Sequence, residues 1–351
     1  MSSGAPPGAP PSPPPGAAAA SSAATDGPTR PWTPKALLDW SEGYFRGKGI
    51  ASPRLDAELL LAHVLGLRRL DLYLQFDRPL LPAELARYRE FVRKRAERVP
   101  VAYLTGEVGF WTLTLDIAPG CLIPRPDTET LVEAVLVALS DLRSGAQGGS
   151  EGERGLAGAA PAARESPEAL TVLELGPGSA AIPLAVCSEA EGLTWIGVER
   201  SRDALAVARR NRARHVALLE PRRNRLWLIE GDGFAALRPD APADLIVSNP
   251  PYIPSAAIAG LMPEVSRSEP RLALDAGADG LAFHRLLVAE AGARLRPGGR
   301  LLLELGHDQL AAVRDLVAAA PGLEEAGVRD DLGGHARVLD VRRRGVRGDD
   351  L

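Results

Sequence analysis

Cysteine is almost missing: Cys121 and Cys187 are the only two in 351 residues, they lie far apart, and neither belongs to a CxxC or Cys/His cluster. That excludes a disulfide framework and a cysteine-ligated metal, and it fits a reducing compartment. No apolar run approaches the ~18 residues that span a bilayer. The first residues lack the basic start and apolar stretch of a secretory signal, so a soluble, cytoplasmic protein with no membrane partner is expected. Lysine is scarce too, confined to Lys35, Lys48 and Lys94 beside abundant arginine, which reads as genomic base composition and gives isolated arginines little weight. The formal net charge of -4 lacks the basic excess of domains that grip nucleic acid through its phosphates, so no stable nucleic-acid partner is expected.

What is present is 45% hydrophobic and 25% charged residues, material for about two domains of roughly 100–200 residues each. Residues 1–32 are almost wholly Ala, Pro, Gly and Ser and bury too little apolar surface to offset ordering entropy; a disordered tail is expected. A transit peptide would be amphipathic and Arg-rich, whereas the first arginine is Arg30.

Over residues 33–99 apolar side chains recur at helical spacing: Ala36, Leu37, Trp40 and Phe45, then Leu55, Leu59, Leu60, Val64 and Leu65. A small helical domain is predicted. Its last helix, 83–98, carries Arg87, Arg93, Lys94, Arg95 and Arg98 among Glu84, Glu90 and Glu97, either a solvated face or a docking face. Short alternating runs then predict a β-hairpin joining the domains over 100–123, after which Asp127 should N-cap a helix to about residue 142. The Gly, Ala and Ser-rich stretch 144–167 reads as a flexible insertion.

Beyond it, strands are predicted over 171–175, 194–199, 225–229, 244–248 and 300–305, with helices from 179 and over 203–215, 281–295 and 308–319. A closing hairpin is expected at 324–329 and 336–341. This is the α/β alternation of a mainly parallel sheet. The turn Glu174-Leu-Gly-Pro-Gly-Ser-Ala180 follows the first strand and opens a helix, where glycines let the backbone turn sharply and approach a ligand. The second strand ends at Glu199, about 20 residues on, where a carboxylate can accept both hydroxyls of a ribose. Asp232 suits an adenine amino group, or equally an Asx-turn. The pattern points to an adenosine-type cofactor, though a nicotinamide site would share the loop.

The sharpest signal is Asn249-Pro250-Pro251-Tyr252 after the fourth strand. Two prolines remove donors and fix φ, holding the Pro250 carbonyl beside the Asn249 amide. A planar NH2 group is a poor nucleophile, because its lone pair is delocalised. Two acceptors can orient it toward an electrophile and favour the developing positive charge. Tyr252 would offer an aromatic face, with edge contact from Phe234. The matching electrophile is a methyl group on a cationic sulfonium.

Taken together, the chain resembles the HemK/PrmC family of protein-(glutamine-N5) methyltransferases from about residue 36 to 344. Besides Asn-Pro-Pro-Tyr, the likeness is carried by Ser52-Pro-Arg-Leu-Asp-Ala-Glu-Leu-Leu-Leu-Ala-His-Val-Leu-Gly66, by Pro100-Val-Ala-Tyr-Leu-Thr-Gly106 with Phe110-Trp111, and by Ile123-Pro-Arg-Pro-Asp-Thr-Glu129. Glu269-Pro-Arg-Leu-Ala-Leu-Asp-Ala-Gly277, Asp279-Gly-Leu281 and Asp331-Leu-Gly-Gly-His-Ala-Arg-Val338 complete it.

The resemblance implies an α/β, seven-stranded (Rossmann-like) class I methyltransferase domain over 124–345, a helical substrate-recognition domain over 33–99, and S-adenosylmethionine as cofactor. It implies as substrate the glutamine of the Gly-Gly-Gln motif of class I peptide chain release factors. Gly176, Pro177, Gly178, Ser179, Ala180, Glu199, Asp232, Gly233 and Asn249 fall on cofactor positions. Asn249, Pro250, Pro251 and Tyr252 fall on the substrate-amide site, and no metal is implied. Ala180 stands where the family loop has its third glycine, so its methyl would narrow the cofactor approach if φ there is positive. Gly233 replaces an aromatic, which would shift adenine stacking to Phe234. A ribosomal-protein glutamine or a nucleic-acid amino group are the rival substrates for the same motif.

Overall fold

The structure, a computed structural model, describes residues 31–148, 169–238 and 242–345. The tail expected at 1–32 lies outside the described residues but for its last two; of the flexible insertion expected at 144–167, residues 144–148 are instead helical and the rest lie outside the described residues. The chain divides into two compact units between Thr105 and Gly106.

The first unit is helical: α1 (Pro34–Gly47), α2 (Pro53–Leu65), α3 (Asp71–Leu74), α4 (Pro82–Ala96) and α5 (Val101–Thr105). Helix α1 starts where its sequence says it should. The Thr33 hydroxyl accepts the Ala36 N–H, and Pro34 occupies the first turn, where a missing N–H costs nothing. Leu38, Phe45, Leu60, Leu61 and Tyr88 are wholly buried together, and each such side chain contributes about 1.5–3 kcal/mol.

The buried face of α2 differs from the predicted one. Leu55 and Leu59 are exposed, while Ala57, Leu60, Leu61 and Val64 face inward. The Leu59-Leu60-Leu61 run is apolar all round and selects no face by itself. The inward side also carries two buried acids, both partnered: Asp56 accepts from Arg95 Nε at 2.7 Å, and Glu58 accepts from Tyr73 and Arg54. Arg95, expected on an exposed basic face, is therefore buried. Arg93 pairs with Glu90 and Glu97, and Lys94 with Glu90, the self-neutralised pattern of a solvated helix surface.

The second unit opens with a hairpin, β1 (Glu107–Phe110) and β2 (Leu113–Asp116). It is shorter than expected, because residues 101–105 are helical. Residues 126–128 form a 3-10 turn that runs into α6 (Glu129–Gly148), so Asp127 lies inside the turn rather than capping the helix.

Then come β3 (Leu170–Leu175), α7 (Ala181–Glu189), β4 (Leu193–Glu199), α8 (Arg202–Arg214), α9 (Val216–Leu219), β5 (Arg225–Glu230) and β6 (Ala243–Ser248). They are followed by α10 (Pro263–Ser268), α11 (Ala282–Arg294), β7 (Leu295–Glu304), α12 (Leu310–Ala319), β8 (Leu323–Asp330) and β9 (Ala336–Arg343). The seven-stranded sheet runs β5-β4-β3-β6-β7-β9-β8, parallel except for β9, which pairs antiparallel with both β7 and β8.

Alternation along the strands builds two cores. Leu245 and Val247 of β6 face one cluster with α6 and α7; Ile246 between them faces another with α11 and α12. A sheet covered on both sides explains why its strands read as near-continuous apolar runs. No helix among the described residues is long and apolar enough to cross a membrane.

Candidate functional site

Strands β3, β4 and β6 end side by side, and ligands of open parallel sheets bind at the carboxyl ends of strands. One cleft there is lined by Gly176, Gly178, Glu199, Asp232 and Gly233, and also by Asn249, Pro250 and Pro251. Gly176 and Gly178 have φ of 73° and 58°, a conformation that suits glycine, and nothing lies within 4 Å of where a Cβ would project. A ligand can therefore approach the backbone closely.

The Glu199 carboxylate accepts the Gly178 N–H at 3.0 Å and the Ser201 N–H at 2.8 Å. Each oxygen keeps a further lone pair, since a carboxylate offers about four acceptor sites. Burial pushes this carboxyl up, opposed by those backbone donors. Asp232 is exposed and makes no capping bond to the turn it precedes, so the Asx-turn role is not taken up.

Pro177, Ser179 and Ala180 do not line the cleft. Pro177 packs over Gly197 of β4, where an added Cβ would meet its Cγ at 3.0 Å. Ser179 is buried and offers its carbonyl to Asn211. Ala180 has the positive φ (65°) that its family position implied, but its methyl is wholly buried in the core beside α6 and α7 rather than in the cofactor path.

At the other end of the cleft, Asn249 Nδ2 donates to the Thr128 hydroxyl at 3.0 Å. Its Oδ1 and the Pro250 carbonyl take no hydrogen bond from the described residues. Gln309 holds the chain just beyond the two prolines: its Nε2 donates to the carbonyls of Tyr252 at 2.9 Å and Gly280 at 3.1 Å, while its Oε1 accepts from Gly306. Gly280 has φ +77°, and a Cβ there would sit 2.6 Å from the Tyr252 carbonyl, so only glycine lets the two segments close.

Tyr252, unlike Asn249, Pro250 and Pro251, is not among the residues that line the cleft; it is half-buried, and its hydroxyl is pushed up to about 12 by burial and by Glu304. Three of the sequence signatures converge here. Arg337 donates to Asp331 and to the Leu305 carbonyl and lies 3.2 Å from Asp127; its guanidinium holds the Asp331 carboxyl down to about 2. Arg125 pairs with Glu269, whose other oxygen accepts the Ile123 N–H.

Phe234 is not part of the cleft wall. It is buried in the core with the Arg294 guanidinium 4.7 Å from its ring centre. The apolar wall comes from Leu272 of the Glu269–Gly277 signature and from three residues not singled out in the sequence, Leu122, Phe283 and Leu286. The i, i+3 spacing of Phe283 and Leu286 on one face of α11 was the available signal.

A family model described as the PrmC N-terminal domain matches residues 36–106. A release factor glutamine methyltransferase of Geobacter sulfurreducens is 40% identical over 311 residues, covering 89% of this chain and 97% of that protein. The chain belongs to the release factor glutamine methyltransferase family. Another release factor glutamine methyltransferase, of Rhodospirillum rubrum, is 40% identical over 308 residues, covering 88% of this chain and 84% of its own length. A solved protein-(glutamine-N5) methyltransferase (release factor-specific) from Alicyclobacillus acidocaldarius shows 25% identity, covering 66% of this chain and 99% of that one, with a TM-score of 0.34.

Proposed function

We propose that this family member transfers a methyl group from S-adenosylmethionine to the side-chain amide nitrogen (N5) of the glutamine in the Gly-Gly-Gln motif of class I peptide chain release factors, in the cytoplasm. The observation that carries the reading is the pair of uncommitted acceptors. Asn249 spends its NH2 on Thr128, which leaves Oδ1 facing the other way, next to a Pro250 carbonyl that takes no donor from the described residues. Two acceptors match the two hydrogens of a primary amide.

The cleft fits the cofactor. Gly176 and Gly178 leave room for close approach, Glu199 keeps lone pairs for ribose hydroxyls, and Asp232 and Gly233 flank the place for the base. Bound there, the cofactor would supply a methyl group on a cationic sulfur. The chain's own contribution is to orient and to exclude water. Asn249 Oδ1 and the Pro250 carbonyl would accept the two N–H groups, aim the nitrogen lone pair, and stabilise positive charge as it develops, an effect worth several kcal/mol in a water-poor site. Pro251, Leu272 and Phe283 supply the apolar walls. The Tyr252 hydroxyl, pushed up to about 12, stays protonated at working pH and does not serve as a base.

The first unit would recognise the release factor, with residues 33–99 as substrate-recognition domain, 100–123 as its connection and 124–345 as the methyltransferase domain. The names of relatives at 35–42% identity support this substrate over a ribosomal protein or a nucleic acid. The test is methyl transfer from labelled cofactor to a purified release factor, a ribosomal protein and RNA or DNA in parallel. Asn249→Ala should lower kcat by at least ~100-fold with cofactor affinity within about twofold. Label in nucleic acid or ribosomal protein instead would overturn the substrate, and an active Asn249→Ala enzyme would overturn the mechanism.

A further inference from the structure

Gln309 stands just ahead of α12 and is buried, and its side-chain amide uses every group it has. Nε2 donates to two carbonyls, those of Tyr252 at 2.9 Å and Gly280 at 3.1 Å, and Oε1 accepts the Gly306 N–H at 3.0 Å. These partners fix its orientation: turned over, the amide would set oxygen against two carbonyls and NH2 against an N–H. Two glycines make the room. A Cβ on Gly280 would lie 2.8 Å from Nε2, and one on Gly306 would lie 2.9 Å from Oε1. The site asks for two donors and one acceptor at this reach; Asn is one CH2 short, an ionised Glu has no donor and Lys has no acceptor.

The two carbonyls belong to two segments of the cleft. Tyr252 ends the Asn-Pro-Pro-Tyr turn, and Gly280 ends the stretch that puts Pro270, Leu272 and Ala273 into the cleft wall. Just beyond Tyr252 the segments are zipped together: the Ile253 N–H donates to the Leu274 carbonyl at 3.1 Å, Ala276 to the Ile253 carbonyl at 2.9 Å, and Ser255 to the Gly277 carbonyl at 2.8 Å. Before the turn, the Ser248 hydroxyl donates to the Leu175 carbonyl at 2.8 Å. Between those anchors, from Asn249 to Tyr252, the one backbone group with a hydrogen bond among the described residues is the Tyr252 carbonyl, and its donor is Gln309.

We infer that Gln309 is a positioning residue for methyl transfer: it fixes the direction of the Pro250 carbonyl, and with it the gap between the amide acceptors and the apolar wall. The inference deepens the proposed reaction and rests on it. Gln309 does not line the cleft, so it acts through the turn it holds. Pro250 and Pro251 have fixed φ, which leaves little freedom between the Pro250 carbonyl and the clamped Tyr252 carbonyl. Without the clamp, the Asn249–Tyr252 backbone is tied by no hydrogen bond, and the Pro250 carbonyl swings about the ψ angles of the two prolines. Asn249 Oδ1 stays in place, because Thr128 still holds its amide. The substrate NH2 then keeps one orienting acceptor of two, and an orienting group misplaced by about 1 Å costs up to ~100-fold in rate.

The test uses the full-length protein and Gln309→Met, which keeps the side chain's length and removes its donors. One arm needs no methyl transfer: hydrogen exchange followed by NMR should speed at least ~10-fold at the Ile253 and Ala276 N–H groups, while β3 and β4 exchange as in the wild type. The second arm is methyl transfer to a purified class I release factor. Gln309→Met should lose at least ~10-fold in kcat, with cofactor affinity by calorimetry within about twofold. In an Asn249→Ala background the same substitution should cost under about threefold, because the two acceptors work as a pair. Gly306→Ala, which crowds Oε1 and leaves Gln309 in the chain, should reproduce the pattern, and it decides the matter if Gln309→Met does not fold. Wild-type kcat in the folded variant, unchanged exchange at Ile253 and Ala276, or equal losses in the two backgrounds would overturn the inference. Label going only to RNA, DNA or a ribosomal protein would discard the substrate named above, and the same cycle is then measured on that acceptor.

Discussion

Glu199, at the end of β4, accepts the backbone N–H of Gly178 at 3.0 Å across 21 residues of sequence. One carboxylate thus holds the glycine turn in shape and faces the cleft that the turn lines. Glu199→Gln keeps the size but turns one acceptor into a donor, which meets a backbone N–H. Hydrogen bonds to a charged group are worth about 1.5–3 kcal/mol each. Cofactor affinity should fall at least ~10-fold by calorimetry, and the melting temperature should drop by a few degrees.

Ala180 sits at φ 65° with its methyl in the core. Relief of left-handed strain by Ala180→Gly, about 1–2 kcal/mol, is set against a lost buried methyl of about 0.8 kcal/mol and extra chain entropy of about 0.5–1 kcal/mol. The terms nearly cancel. Denaturant melts should show a change within about 1 kcal/mol. Cofactor affinity should not improve, because the methyl does not face the cleft.

Two buried carboxyls make stability depend on pH in an unusual direction. Burial raises Glu174 to about 8 and Glu304 to about 7 from 4.5. Between those limits the folded chain holds protons that the unfolded chain has released, so their contribution is full below about 4.5 and is lost as pH rises toward 8. Urea midpoints should fall from pH 5 to pH 8.5, and Glu174→Gln, which still accepts the Trp195 indole N–H, should flatten the decline.

The helical unit offers a contrast between two arginines of α4 separated by two positions. Arg95→Ala strips the buried Asp56 carboxylate of its guanidinium and should cost about 3–5 kcal/mol. Arg93→Ala removes only exposed pairs and should cost under about 1 kcal/mol. Parallel melts of the two variants check this. They also show why a charge reversal at Arg95 tests folding, not docking.

Much of the second unit could be read from sequence because its strands are short apolar runs bounded by turns, and because the glycine turn and Asn-Pro-Pro-Tyr carry their chemistry locally. What escaped depended on distance. Thr128 and Asn249 are 121 residues apart, and no periodicity links them. Phe234 reads as an aromatic beside the adenine position, yet the turn after Gly233 drops it into the core. The inward face of α2 was hidden because Leu59, Leu60 and Leu61 are equally apolar, so their run marks no side.

The position of β9 has a consequence for assembly. It enters between β7 and β8, so β8 has no neighbour when it emerges and β7 keeps a bare edge until residues 336–343 arrive. The same strand carries Arg337, which ties Asp127, Asp331 and the Leu305 carbonyl together. Completion of the sheet and closure of the substrate end are thus one late event in the life of the chain, and an aggregation-prone strand edge stays open until it happens.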